Sequence, residues 1–155
     1  MPNATTQHAL RALVRLARAR EGAITLGRDL AEQAGIPANY LAKILLTLGK
    51  AGLVEATRGQ GGGYRLARGA AEIRLIEVLD LFEGAARQTA CFLGENRACN
   101  DRDGCSAHAA WKHVQMEYLE FLRTQTIADI GGTGPRPRSR QRSLTKSAAR
   151  SRNRS

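Results

Sequence analysis

The sequence predicts a mainly α fold with one small β-hairpin, an α+β chain that ends in a long C-terminal helix. Three observations predict it. Apolar residues recur at helical spacing in three short segments before residue 52. Four glycines then fall within five residues, Gly59–Gly63, between two short strand candidates. Finally, a stretch from about Ser106 to Gln125 carries Trp111, Val114, Tyr118, Leu119 and Leu122 at helical spacing. With 155 residues and 43% apolar composition, the chain suits one cored domain plus an appendage.

Each element has a local reason. Thr5 and Thr6 are candidate caps for a first helix from about Gln7 to Arg20, with Leu10, Leu13, Val14 and Ala17 on one face. Gly22 ends it. Thr25 is the candidate cap of a second helix that turns Leu30, Ala31 and Ala34 inward, and Gly35 stops that helix. Pro37 suits the first turn of a third helix, where its missing N–H costs nothing. There Leu41, Ile44, Leu45 and Leu48 repeat the apolar stripe, and Gly52 closes it. Two short helices around a tight glycine turn form a helix-turn-helix pattern. Leu53–Arg58 and Tyr64–Ala67 read as strands, and the glycines between them let a hairpin tip turn sharply and approach another backbone closely. Arg58 and Arg65 flank this tip, so the hairpin reads as a cationic wing beside the third helix. Gly59–Gly63 lacks the Gly-Lys-Ser/Thr ending of a phosphate-cradling loop. Ile73–Glu83 reads as a fourth helix with Ile76, Leu79, Leu81 and Phe82 for packing, and Thr126 as the cap of a final turn.

The charge has an uneven address. Net charge is +10 overall. Residues 1–74 hold 11 Lys+Arg and 5 Asp+Glu, residues 75–130 hold 5 and 9, and residues 131–155 hold 8 and 0. The last segment has almost no large apolar residues and is expected to be a disordered basic tail. The expected division is a winged helix-turn-helix domain at 1–84, a cysteine loop and dimerisation helix at 85–130, and the tail. In the first domain the third helix is the candidate major-groove reader. Ala38, Asn39, Tyr40 and Lys43 are its early exposed positions, with Asn39 suited to a base edge and Tyr40 also suited to half-buried packing. Arg58 is suited to a narrow minor groove, with Gln60, Gly61 and Arg65 beside it on the wing. Arg28 and Lys50 are candidate phosphate contacts or plain surface charges. No apolar run approaches the ~18 residues of a membrane span, and arginines interrupt the apolar stretches of the N-terminus as no signal peptide allows. A reducing cytoplasm is therefore expected, with no membrane partner.

All three cysteines lie within 15 residues: Cys91-x7-Cys99-x5-Cys105, followed by x2-His108. Thiolates in a polar, glycine-bearing loop suit soft or borderline metals. A structural zinc site usually shows a short C-x2-4-C knuckle, which is absent. A Cys–His nucleophile needs a third orienting group, and nothing supplies one. An iron–sulfur cluster tolerates these long gaps and is the favoured reading, although spacing alone does not separate it from zinc. No convergent acid, base or nucleophile set points to an enzyme or to a small-molecule substrate. The stripe on the last helix is large for one small domain to bury. A symmetric helix–helix dimer covers it and pairs two third helices on two half-sites of double-stranded DNA. Packing on its own domain is the alternative.

The segment AEQAGIPANYLAKILLTLGKAGLVEATRGQGGGYRLARGAAEIRL, the cysteine loop and the closing IADI together resemble the Rrf-type winged-helix regulators, the group containing IscR, NsrR and RirA. The resemblance covers about residues 1–130. It implies a dimeric, cytoplasmic bacterial transcription regulator that often holds an iron–sulfur cluster. Cys99-x5-Cys105-x2-His108 matches the members that control cluster biogenesis, whereas the seven-residue first gap looks like the rhizobial iron-responsive members. Nitric-oxide-sensing members place an Asp from the partner's first helix on the metal. Here His8 stands at that position, so His8 and His108 are rival fourth ligands, with His108 preferred; His113 reads as a surface residue. The expectation is a repressor on a palindromic operator. Its affinity follows a 2Fe–2S or 4Fe–4S cluster that senses iron or cluster status, redox or nitric oxide. The alternative is a zinc-bound or metal-free winged-helix binding protein.

Overall fold

The computed structural model describes residues 2–84 and 105–134. Cys91, Cys99 and the basic tail from residue 135 onward lie outside the described residues. Among the described residues, six helices and one two-stranded sheet follow in the order α1 (Ala4–Arg18), α2 (Gly27–Ala34), α3 (Ala38–Lys50), β1 (Val54–Thr57), β2 (Gly63–Leu66), α4 (Leu75–Glu83), α5 (His108–Thr124) and α6 (Ile127–Gly131). A 3-10 turn, Ala70–Glu72, precedes α4.

The core is where the apolar stripes converge. Ala9, Ala12, Leu13 and Leu16 of α1 meet Leu30, Ala31 and Ala34 of α2 and Leu41, Ile44, Leu45 and Leu48 of α3, all buried. Leu53 and Val54 lead into the hairpin from the same core, and Leu75, Val78 and Leu79 of α4 close one side. Leu122 of α5 and Ile127 of α6 join the same cluster, so one core takes residues from both sides of position 84. α6 packs along α1, and the Arg18 Nε–H donates to the Gly131 carbonyl at 2.9 Å. A guanidinium on a helix's last carbonyl satisfies an orphan acceptor and opposes the helix dipole.

Several boundaries differ from expectation, each for a local reason. α1 starts at Ala4 because Asn3 is the cap: its Oδ1 accepts from the Thr6 N–H at 2.8 Å and the Thr6 hydroxyl at 3.1 Å. Thr25 does not cap α2. Its N–H and C=O pair with Tyr64 at 2.9 and 2.8 Å, which holds it extended beside β2. α4 begins at Leu75, not Ile73, because Ile73 stays extended and its C=O accepts from the Ile127 N–H at 2.9 Å. The face α4 buries is Leu75, Val78 and Leu79, while Leu81 is exposed. The chain also stays ordered past residue 130: Gly131 is buried and ends α6, and Gly132 caps it in the left-handed region. Thr126 caps α6 as expected, with its N–H returning to Asp129 Oδ2 at 2.8 Å.

Candidate nucleic-acid interface and cysteine site

The turn between α2 and α3 follows from one residue. Gly35 adopts φ 64 and ψ 44, and its N–H reaches back to Ala31 and Glu32. The Ile36 N–H also bonds to the Ala31 carbonyl at 2.9 Å while its side chain is buried, which completes a Schellman end. Pro37 sits at the cap of α3, one residue before the first turn, and its carbonyl accepts from Tyr40 and Leu41.

α3 then divides cleanly. Leu41, Ile44, Leu45 and Leu48 face the core, and Asn39, Lys43 and Lys50 lie exposed on the opposite side. Ala38 and Ala42 border that exposed face. Tyr40 is half-buried, its hydroxyl is hydrogen-bonded to Thr5 of α1, and its ring meets His8 edge-on at 5.4 Å. His8 is also bonded to Arg11. Tyr40 thus ties α3 to α1, and His8 lies against groups of its own chain.

The wing is an antiparallel pair with Val54 opposite Leu66 and Thr57 opposite Gly63. Two of its glycines are dictated by contact. A Cβ on Gly62 would stand 2.3 Å from the Thr57 carbonyl, and one on Gly63 would stand 2.3 Å from the Thr25 carbonyl. The close backbone approach expected of this run is therefore against Thr25, whose pairing with Tyr64 docks the hairpin beside α2. Arg58, Gln60 and Gly61 are exposed at the tip. Arg65 is not a bare cation, because its guanidinium pairs with Glu55 across the strands at 2.8 Å. Arg28 is exposed and lies 3.8 Å from Asp29. Among the described residues, Lys43, Lys50 and Arg58 enter no ion pair.

At the other end, Cys105 is exposed, and its carbonyl accepts from the N–H of His108, the first residue of α5, at 2.9 Å. A backbone turn thus joins Cys105 to the start of α5. Of the α5 stripe only Leu122 is buried; Trp111, Tyr118 and Leu119 are half-buried, and Val114 is exposed. Burial, together with the negative charge of Glu83, raises the Tyr118 hydroxyl above its ordinary range. No local sequence pattern marks Glu83. Its carboxylate accepts the Asn3 N–H at 2.7 Å, which fixes the end of α4 on the start of α1. Leu46 is exposed on α3, three residues after Lys43 and four before Lys50.

The sequence matches the family described as "Rrf2: Iron-dependent Transcriptional regulator" over residues 3–132. The chain belongs to the Rrf2 family. Rrf2 relatives include a putative HTH-type transcriptional regulator, ORF2, of Azotobacter vinelandii, 33% identical over 80% of this chain and 74% of that protein. The HTH-type transcriptional regulator IscR of Xenorhabdus nematophila is 33% identical over 72% of this chain and 66% of its own length. The regulator NsrR of Bacillus licheniformis is 32% identical over 81% of this chain and 87% of its own. Among solved structures, CymR, the global cysteine regulator of B. subtilis, superposes with a TM-score of 0.71 at 19% identity, over 87% of this chain and 98% of its own. IscR of T. potens superposes with a TM-score of 0.66 at 23% identity, over 86% and 87%. These likenesses establish the mainly helical winged fold with its two-stranded hairpin. The Rrf2 chain is a transcriptional regulator, a non-enzymatic class.

Proposed function

We propose that this Rrf2 protein is a cytoplasmic repressor that reads a palindromic DNA operator with α3 and the wing, under the control of an iron–sulfur cluster. The observation that carries the DNA reading is the placement of three cations that enter no ion pair among the described residues: Lys43 and Lys50 on the outward face of α3 and Arg58 at the hairpin tip. Phosphates attract such cations and position the helix, while Asn39 is free to address a base edge. α5 supplies the pairing surface. Val114 and Phe121 are exposed on it and Tyr118 is half-buried, and a twofold pairing there presents two α3 helices to two half-sites.

The donor set fits a cluster. Cys105 is exposed three residues before His108, joined to it by a backbone turn, and Cys91 and Cys99 make up three thiolates in the sequence. His8 packs on Tyr40 and bonds to Arg11, which favours His108 as the fourth ligand. The cluster, when bound, supplies iron and sulfide that dioxygen and nitric oxide attack. The chain's own contacts then lead from the cysteine segment toward DNA. Glu83 stands two residues before that segment begins and holds the Asn3 N–H, Asn3 caps α1, and Thr5 in the first turn of α1 bonds to Tyr40 of α3. A displacement at the end of α4 is passed along these contacts to the reading helix.

Anaerobic purification followed by a visible spectrum and assays of iron, sulfide and zinc tests the cluster. A coloured protein with iron and sulfide is expected, and a colourless, iron-free protein with stoichiometric zinc overturns it. Arg58→Ala tests the wing: weaker operator binding with a salt slope smaller by about 1 is expected, and unchanged affinity at physiological salt removes the wing from the reading.

A further inference from the structure

We infer that Leu46 is a base-reading residue whose side chain selects a thymine 5-methyl group in the major groove, an inference that rests on the DNA-binding reading of α3. Asn39, Lys43, Leu46 and Lys50 follow one another at i, i+4, i+7 and i+11, so they form a single stripe opposite the buried one. Leu46 is 60% exposed in the middle of that stripe, between two cations with no ion-pair partner among the described residues. A single exposed leucine is ordinary on a protein surface. This one stands on the face that Lys43 and Lys50 draw against phosphates, where water is displaced from whatever it meets. Exposed Ala42 borders it and extends the apolar area.

The chemistry of the groove narrows the partner. Leucine neither donates nor accepts a hydrogen bond, and the major-groove edges of G, C and A present only donors and acceptors. Thymine alone adds a methyl group there. Seven residues separate Leu46 from Asn39, about 10 Å of helix. For a helix lying along the groove, that is about three base steps. The thymine is therefore expected about three steps from the base that Asn39 addresses, once in each half-site.

The test uses the full chain, with and without chelator, to enrich duplexes from a randomised pool at physiological salt. Each thymine of the enriched half-site is then replaced by deoxyuridine, which removes the methyl and leaves the hydrogen-bonding edge intact. The wild-type protein is expected to lose about fourfold in affinity at one thymine per half-site, the effect of one buried methyl. Leu46→Ala is expected to melt like the wild type, because the residue is exposed, to bind the thymine duplex more weakly, and to bind thymine and deoxyuridine equally at that position. Wild-type indifference to deoxyuridine at every thymine overturns the inference, as does a Leu46→Ala protein that keeps the discrimination. A pool with no enriched sequence in either metal state overturns the DNA-binding reading and this inference with it.

Discussion

α3 and α5 are both amphipathic helices, and they spend their apolar residues differently. α3 buries four large side chains and turns outward a mostly polar stripe with two cations. α5 is longer, buries Leu122 alone, and leaves Val114 and Met116 more than half exposed. The first helix is complete within one chain. Among the described residues the second leaves apolar surface uncovered, and that surface is the one the proposed twofold pairing uses. α3 therefore spends its large apolar residues mostly on the core, whereas α5 leaves most of its own outside it.

The sharpest way to break this contrast is a matched pair of truncations. Leu48→Ala in the core is expected to cost about 2–5 kcal/mol of unfolding free energy, whereas Val114→Ala stays within about 0.5 kcal/mol. Denaturant unfolding of both variants checks it, and equal losses erase the distinction. Gly63→Ala comes next. Its Cβ meets the Thr25 carbonyl, so the hairpin must leave its dock; about 1–3 kcal/mol and most operator affinity are expected to go, read by thermal melting and a binding titration. The assembly half is probed by Val114→Lys with Phe121→Lys. Dimer affinity in sedimentation is expected to fall tenfold or more while the thermal midpoint of the monomer holds. A smaller effect belongs to Thr126→Ala, about 1 kcal/mol, because the capping box of α6 is lost.

The smallest effect is electrostatic. Burial pushes the Glu77 carboxyl up, but the Arg74 N–H bond and the Arg68 guanidinium outweigh it and hold the group below the ordinary glutamate value. A depressed carboxylate stabilises fully above the unfolded-state value, and the contribution disappears as pH falls through the folded-state value. The melting-temperature gap between wild type and Glu77→Gln should therefore be largest near neutrality and shrink toward acid. A gap that does not change with pH would assign Glu77 a packing role instead.

The front half was legible because its signals are local. Gly35, the 41-44-45-48 stripe and the Gly59–Gly63 run each determine their own backbone within a few residues. The misses lie where distant segments meet. Thr25 has a capping side chain, yet Tyr64, 39 residues later, claims its backbone. Ile73 fits a helix by pattern, yet Ile127 pairs with it as extended chain. Arg65 has the sequence of a bare cation, yet Glu55 faces it across the hairpin. The Glu83–Asn3 contact spans 80 positions and leaves no trace in any local pattern.

Ile127 is fully buried in the core built by α1, α2 and α3, and Gly131 receives Arg18. A ribosome delivers residues in order, so the core of α1, α2 and α3 emerges with an open seat that α6 fills. Its folding then waits on nearly the whole chain. A nascent polypeptide stopped before residue 127 should expose the missing hydrophobic wall to chaperones, and the finished regulator is released for use only once α6 has closed over α1.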